Sequence, residues 1–306
     1  MHTPCASIDL GTNSARLLIG FADPSNGIRP LLVKRKITRL GGGFSKETGL
    51  SLDARRRSLA VLHDFAEEMQ RHGVKRIRAV ATSAVRDAVN GKEFIAEVYQ
   101  QTGILLEVID GREEGLLTLR GIFSGIQAEG DVFIFDIGGG STEYTLARDQ
   151  APLFSKSLPL GVVRLTEGKG SIPAMADKIN RELEALMADL ARSGHLAFLA
   201  GARLIGTAGT PTTLAGIDLG VTDYTARSVH GHILSLDVIR NIYARILHLT
   251  PEQCLLVPGI EKGREDLILA GTLITLRTME CFGFECLTVS ESGLLEGLLL
   301  TLQSDV

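Results

Sequence analysis

One short pattern occurs twice in this chain. An apolar strand ends in Asp, then come an apolar residue, Gly, two small or polar residues, Ser and a second strand. The copies are Asp9-Leu-Gly-Thr-Asn-Ser14 and Asp136-Ile-Gly-Gly-Gly-Ser141, extended by Thr142, and their aspartates stand 127 residues apart. A third strand follows each copy. Such self-similarity is the mark of a duplicated domain. The length of 306 residues agrees, since a single core stops growing near roughly 250–300 residues.

Around the repeat, strand and helix patterns alternate, which places the chain in the α/β class. Cys5–Leu10, Ala15–Phe21 and Leu31–Thr38 read as the first three strands, and Leu40–Gly49 as a glycine-rich loop. A helix is expected from Ser51 to about His72, with Leu52, Leu59, Leu62, Phe65 and Met69 on one face. Arg76–Ala81, Leu105–Ile109, Val132–Phe135, Glu143–Ala147, Pro152–Ser157, Arg203–Gly206 and Leu287–Val289 read as further strands. Helices are expected over Gly91–Thr102, Gly111–Phe123, Ile172–Arg192, Leu236–Leu247, Glu265–Phe282 and about 293–303. The loose stretch Gly125–Gly130 sets the expected boundary, with one lobe over 1–127 and the other over 128–306, the last helix free to pack back on the first.

Composition narrows the partners. Net charge is -4, aromatics are 5% and there is no Trp, so nucleic acid is not an expected partner. Positive charge is instead local, at Lys34-Arg35-Lys36 with Arg39 and at Arg55-Arg56-Arg57; each is a solvated face or an anion contact, and the first runs into a glycine loop, which favours the contact there. The four cysteines, Cys5, Cys254, Cys281 and Cys286, form no zinc spacing. No basic leader or membrane-length apolar stretch is found, so the expectation is a cytoplasmic protein that does not enter a membrane.

The repeated loops suit phosphate. Glycines let the backbone approach an anion and adopt positive φ, and consecutive amides can form a nest. Gly138-Gly139-Gly140 with Ser141 and Thr142 supplies such a run, although three glycines also make a tight hairpin turn. Asp136 at the strand end would repel phosphate without a cation between them, which points to Mg²⁺. Gly206-Thr207-Ala208-Gly209-Thr210 leads from a strand into a helix, where free amides also bind anions. Glu113 and Glu114 open a helix; they are good first-turn residues for any helix, or one faces a site as a general base whose pKa like-charge neighbours would raise. Arg86 is a phosphate ligand or a surface arginine.

Together these segments resemble the exopolyphosphatase / guanosine pentaphosphate phosphatase family. The resemblance rests on Ile8–Ser14, Arg39-Leu-Gly-Gly-Gly-Phe44, Ala81-Thr-Ser-Ala-Val-Arg-Asp87, Ile109-Asp-Gly-Arg-Glu-Glu114, Phe135–Glu143, Leu158-Pro-Leu-Gly-Val-Val-Arg-Leu165 and Gly206–Thr210, in that order. It implies two ribonuclease-H-like lobes of the actin–Hsp70–sugar kinase superfamily with an interlobe cleft. It implies that Glu114 is the catalytic base and that Asp136 and Glu143 hold Mg²⁺ or Mn²⁺, Glu143 also ordering the attacking water. Asp9, Asn13, Ser14, Arg86, Gly138, Gly139, Gly140 and Ser141 match phosphate-contacting positions, and Gly209 lies in the third loop. The implied reaction is hydrolysis of a terminal phosphoanhydride of inorganic polyphosphate or guanosine polyphosphate by a homodimeric enzyme. Longer members carry a helical HD-type domain after the segment Ser290–Leu298, which shifts the expectation here toward short chains or pppGpp. Phosphotransfer to or from a nucleotide, and alarmone binding with little turnover, are the competing functions.

Overall fold

The computed structural model describes residues 3–23, 27–45, 47–168, 170–221 and 229–302. Met1 and His2 of the N-terminal segment, and Gln303 at the expected end of the last helix, lie outside them. The chain divides into two compact units, Met1–Ser124 with Ser292–Val306, and Gly125–Glu291.

The first unit is built on β1 (Cys5–Leu10), β2 (Ser14–Asp23), β3 (Gly27–Ile37), β4 (Arg76–Ala81) and β5 (Leu106–Val108). Their order in the sheet is β3-β2-β1-β4-β5. The first three strands are antiparallel neighbours, and β4 and β5 run parallel to β1. Between them lie α1 (Leu52–Arg71), α2 (Ser83–Arg86) and α3 (Gly91–Thr102), and after β5 comes α4 (Gly111–Phe123).

Helix α1 starts where Ser51 accepts the Ala54 amide, the ordinary side-chain cap for a first-turn donor. Its buried stripe is Ala54, Ser58, Leu59, Leu62, Phe65 and Met69. Leu52, expected on that face, is 57% exposed. Helical side chains lean toward the N-terminus, so a residue at the first position reaches past the stripe. The stripe packs with Phe94 and Val98 of α3 on Ile8, Leu10, Leu17 and Ile19 of the sheet.

The second unit repeats the plan. It contains β6 (Asp131–Ile137), β7 (Thr142–Arg148), β8 (Ala151–Leu158), α5 (Val162–Gly168), α6 (Ile172–Arg192), β9 (Arg203–Thr207), α7 (Gly209–Asp218), β10 (Ile233–Ser235), α8 (Leu236–Ile246), α9 (Pro251–Cys254), α10 (Ile268–Phe282) and β11 (Cys286–Val289). Its sheet order, read from the opposite edge, is β8-β7-β6-β9-β11-β10. Pairing senses match the first sheet strand for strand, and β10 is an added antiparallel edge. Two sheets of this order and sense are ribonuclease-H-like, as the family resemblance implied.

The last helix, α11 (Leu294–Leu300), belongs to the first unit. The second unit runs from Gly125 to Glu291, and the last helix packs back on the first unit, the arrangement left open for it in the sequence. The cause is burial: Leu294 and Leu298 pack with Val80, Ile109 and Leu117, while Leu295 and Leu299 pack with Cys5 and Leu18. Helices α4 and α11 cross at glycines, and a Cβ on Gly297 would overlap the Leu117 carbonyl. Short elements α2, α5, α9 and β10 had no clear pattern in the sequence, since one or two turns carry too few positions to show a period.

Candidate active-site loops

Asp9 is the next-to-last residue of β1 and lies opposite Arg16 of β2. Arg16 donates to Asp9 Oδ2 from Nε at 3.0 Å and from Nη2 at 2.8 Å. The turn between them closes with the Gly11 amide on the Ser14 carbonyl at 3.0 Å. Thr12 Oγ1 and Ser83 Oγ are 3.0 Å apart, tying the turn to the start of α2. Asn13 Oδ1 is buried and meets no hydrogen-bond donor among the described residues, so an incoming donor or bridging water would find it ready.

Arg86, at the end of α2, donates to the Ile109 carbonyl at 3.0 Å. Its Nη1 is 3.8 Å from Glu114 Oε2. Glu114 is 7% exposed and sits in the first turn of α4, which Asp110 caps by accepting the Glu113 amide at 2.8 Å. The glutamate pair divides. Glu113 turns outward to Arg78 at 2.7 Å, and Glu114 turns inward toward Arg86. The neighbour expected to press on Glu114 with like charge is thus drawn off to a guanidinium of its own.

In the second unit Asp136 and Glu143 are opposite residues of the antiparallel pair β6–β7, 6% and 2% exposed. Opposite residues in such a pair put their side chains on the same face. Glu143 Oε1 accepts Ser157 Oγ at 2.7 Å. The intervening turn closes with the Gly138 amide on the Ser141 carbonyl at 2.9 Å, as in the first unit. None of Gly138, Gly139 and Gly140 has a positive φ. Their carbonyls are held instead by the start of α5: Val162 N donates to Gly138 O at 3.1 Å and Val163 N to Gly139 O at 2.9 Å. Neither the Gly139 nor the Gly140 amide donates to a backbone carbonyl among the described residues. The run is both a hairpin turn and a pair of donors suited to an anion.

Gly209 opens α7 behind Ala208, whose φ of +68° is left-handed. A side chain at 209 would displace the Arg264 guanidinium, which lies against this helix start. Arg264 is the residue sequence reasoning missed. Its only signal is the mixed run Glu261-Lys-Gly-Arg-Glu-Asp266.

The sequence pattern of the Ppx/GppA phosphatase family matches residues 21–305. The chain belongs to the Ppx/GppA phosphatase family. It is an exopolyphosphatase-family phosphoanhydride hydrolase. Exopolyphosphatase 2 of Mycobacterium tuberculosis is 33% identical over 318 residues, covering 98% of this chain and 98% of that one. The bifunctional 3-dehydroquinate synthase/phosphatase of Fusobacterium nucleatum is 30% identical over 311 residues. The match covers 96% of this chain but 46% of that longer protein. The crystal structure of the Aquifex aeolicus Ppx/GppA family member superposes with a TM-score of 0.78 at 33% identity, covering 98% of this chain and 97% of that one.

Among the described residues no group of three or more His, Cys, Asp or Glu is arranged to hold a metal by itself, and no helix is long and apolar enough to cross a membrane. Two buried carboxylates beside a turn with unengaged amides form an oxygen donor set of the kind Mg²⁺ uses when substrate phosphates and waters complete its shell.

Proposed function

We propose that this Ppx/GppA member is an exopolyphosphatase that removes the terminal phosphate of inorganic polyphosphate. The facing carboxylates Asp136 and Glu143, next to the Gly138–Ser141 turn, carry the reading. They would hold Mg²⁺, or Mn²⁺, which when bound neutralises phosphate charge and polarises the bond to be cleaved. The Gly139 and Gly140 amides, the Ser141 hydroxyl and the start of α7 at Gly209 donate to phosphate oxygens. In the first unit Asn13, Ser14 and Arg86 act as phosphate contacts, and Asp9 orients that loop through Arg16.

Glu114 acts as general base. It takes a proton from water as the water oxygen bonds to the terminal phosphorus; the bridging P–O bond breaks, and the shortened chain leaves with the electron pair. Orthophosphate departs and the proton passes from Glu114 to solvent. Guanosine pentaphosphate offers the same anhydride at its 5′ tail and is proposed as a second substrate. The family resemblance alone extends the proposal to a cytoplasmic homodimer.

The test is orthophosphate release from short and long polyphosphate and from pppGpp, with divalent metal and with chelator. Release that depends on metal is expected. In Glu114→Ala it should drop by about 10²–10⁴-fold with polyphosphate binding retained, the usual contribution of a general base. Undiminished release would remove Glu114 from this role.

A further inference from the structure

The basic run Arg55-Arg56-Arg57 is divided by the fold. Arg55 pairs with Glu97 at 2.5 Å on α3. Arg57 does something different: its Nε donates to the Thr38 carbonyl at 3.0 Å and its Nη2 to the Arg39 carbonyl at 3.3 Å. The amides of those same two residues both donate to the Asn13 carbonyl, at 3.0 and 2.9 Å. Gly41 N adds a bond to the Thr12 carbonyl at 2.8 Å, and a Cβ on Gly41 would overlap the Thr12 methyl. Arg39 meanwhile has φ +46°, a left-handed backbone that a non-glycine residue keeps only when its surroundings hold it.

We propose that Arg57 is a positioning residue for the Asp9–Ser14 phosphate loop, acting through the Thr38–Arg39 turn. The planar guanidinium offers two successive carbonyls N–H groups on separate nitrogens at a fixed spacing, where an ammonium has one freely rotating nitrogen. The Thr38–Arg39 peptide group, held at its carbonyl by Arg57, presents its N–H to the Asn13 carbonyl, and the Thr38 N–H donates to the same carbonyl, so the loop is braced from behind. An unbraced turn would let the Asn13–Ser14 backbone shift, and small misplacements of binding groups are costly in rate. The effect on turnover rests on the proposed phosphate-releasing activity; the brace itself does not.

The experiment compares Arg57→Ala, Arg57→Lys and Arg56→Ala with the unchanged chain. It reads kcat and KM for phosphate release from polyphosphate, and hydrogen exchange at the Thr38, Arg39 and Gly41 amides. Both Arg57 variants should lose about tenfold in kcat/KM. Exchange at the three amides should speed up while the helix α1 core stays protected. Arg56→Ala should change neither reading. Unaltered exchange in Arg57→Ala overturns the proposal, whatever the activity. Full recovery of kcat/KM and protection by Arg57→Lys also overturns it, because charge alone would then suffice. An unchanged chain that releases no phosphate counts against the functional reading, and the exchange data still decide the brace.

Discussion

Asp136 faces Glu143 across the β6–β7 pair, where the first unit places Asp9 against Arg16. The offset of 127 residues is the same for both members of the pair. The duplicated position therefore carries opposite electrostatics in its two copies. In the first unit the aspartate has an arginine of its own. In the second, two buried carboxylates share one face, an arrangement that like-charge repulsion disfavours unless positive charge is supplied to both.

From that difference comes a prediction for metal dependence. Asp136→Asn keeps the shape and removes one charge. Phosphate release at limiting Mg²⁺ should fall on the order of 100-fold, with partial recovery as Mg²⁺ is raised. A metal titration with an unchanged midpoint would remove Asp136 from the ligand set.

The first-unit pair should behave as a brace for the fold. Arg16→Ala leaves Asp9, largely buried, without the guanidinium that makes two bonds to Oδ2. The ion pair is partly screened, its side chains being 21% and 10% exposed, so the loss is set below that of a fully buried pair, at about 2 kcal/mol. Denaturant unfolding of Arg16→Ala, Asp9→Asn and the double variant measures it. The double variant should be more stable than Arg16→Ala, because no buried charge is left alone.

Glu296 gives the first unit a pH dependence. Burial pushes its carboxyl above the ordinary value of 4.5, with Arg16 opposing and Asp9 adding to the shift. A carboxyl raised on folding binds its proton more tightly in the native state. Its stabilising contribution is complete below the unfolded value and declines as pH rises through the folded one. Glu296→Gln keeps an acceptor for the Gly293 amide, which Glu296 Oε2 now takes at 2.8 Å. The variant should lose less stability than the parent as pH rises above the ordinary value of 4.5. Parallel melting curves for the two would refute it.

Strands, turns and the caps of the longer helices were legible because they are local. The short run Cys5–Leu10 reads as a buried strand, and all six of its residues are buried, while Ser51 and Asp110 announce the helices they cap. The two phosphate-type turns were legible for the same reason, as glycine and serine at a fixed distance from an aspartate. Roles that depend on facing were not. Glu113 and Glu114 are chemically equal neighbours, yet one pairs with Arg78 of β4 and the other points toward Arg86 at the end of α2. Arg264 reaches the α7 start across 55 residues of chain, and no local period encodes that approach.

By itself, then, the sequence determined the duplicated strand–turn–strand plan, its α/β class and the glycine-bearing loops, all set by short-range periodicity and turn chemistry. Tertiary structure alone decided that Asp9 is neutralised by Arg16, that Arg57 backs the Asn13 turn, and that residues after Ser292 complete the first unit's core. Those outcomes follow from strand register and helix packing, which bring together side chains far apart in sequence.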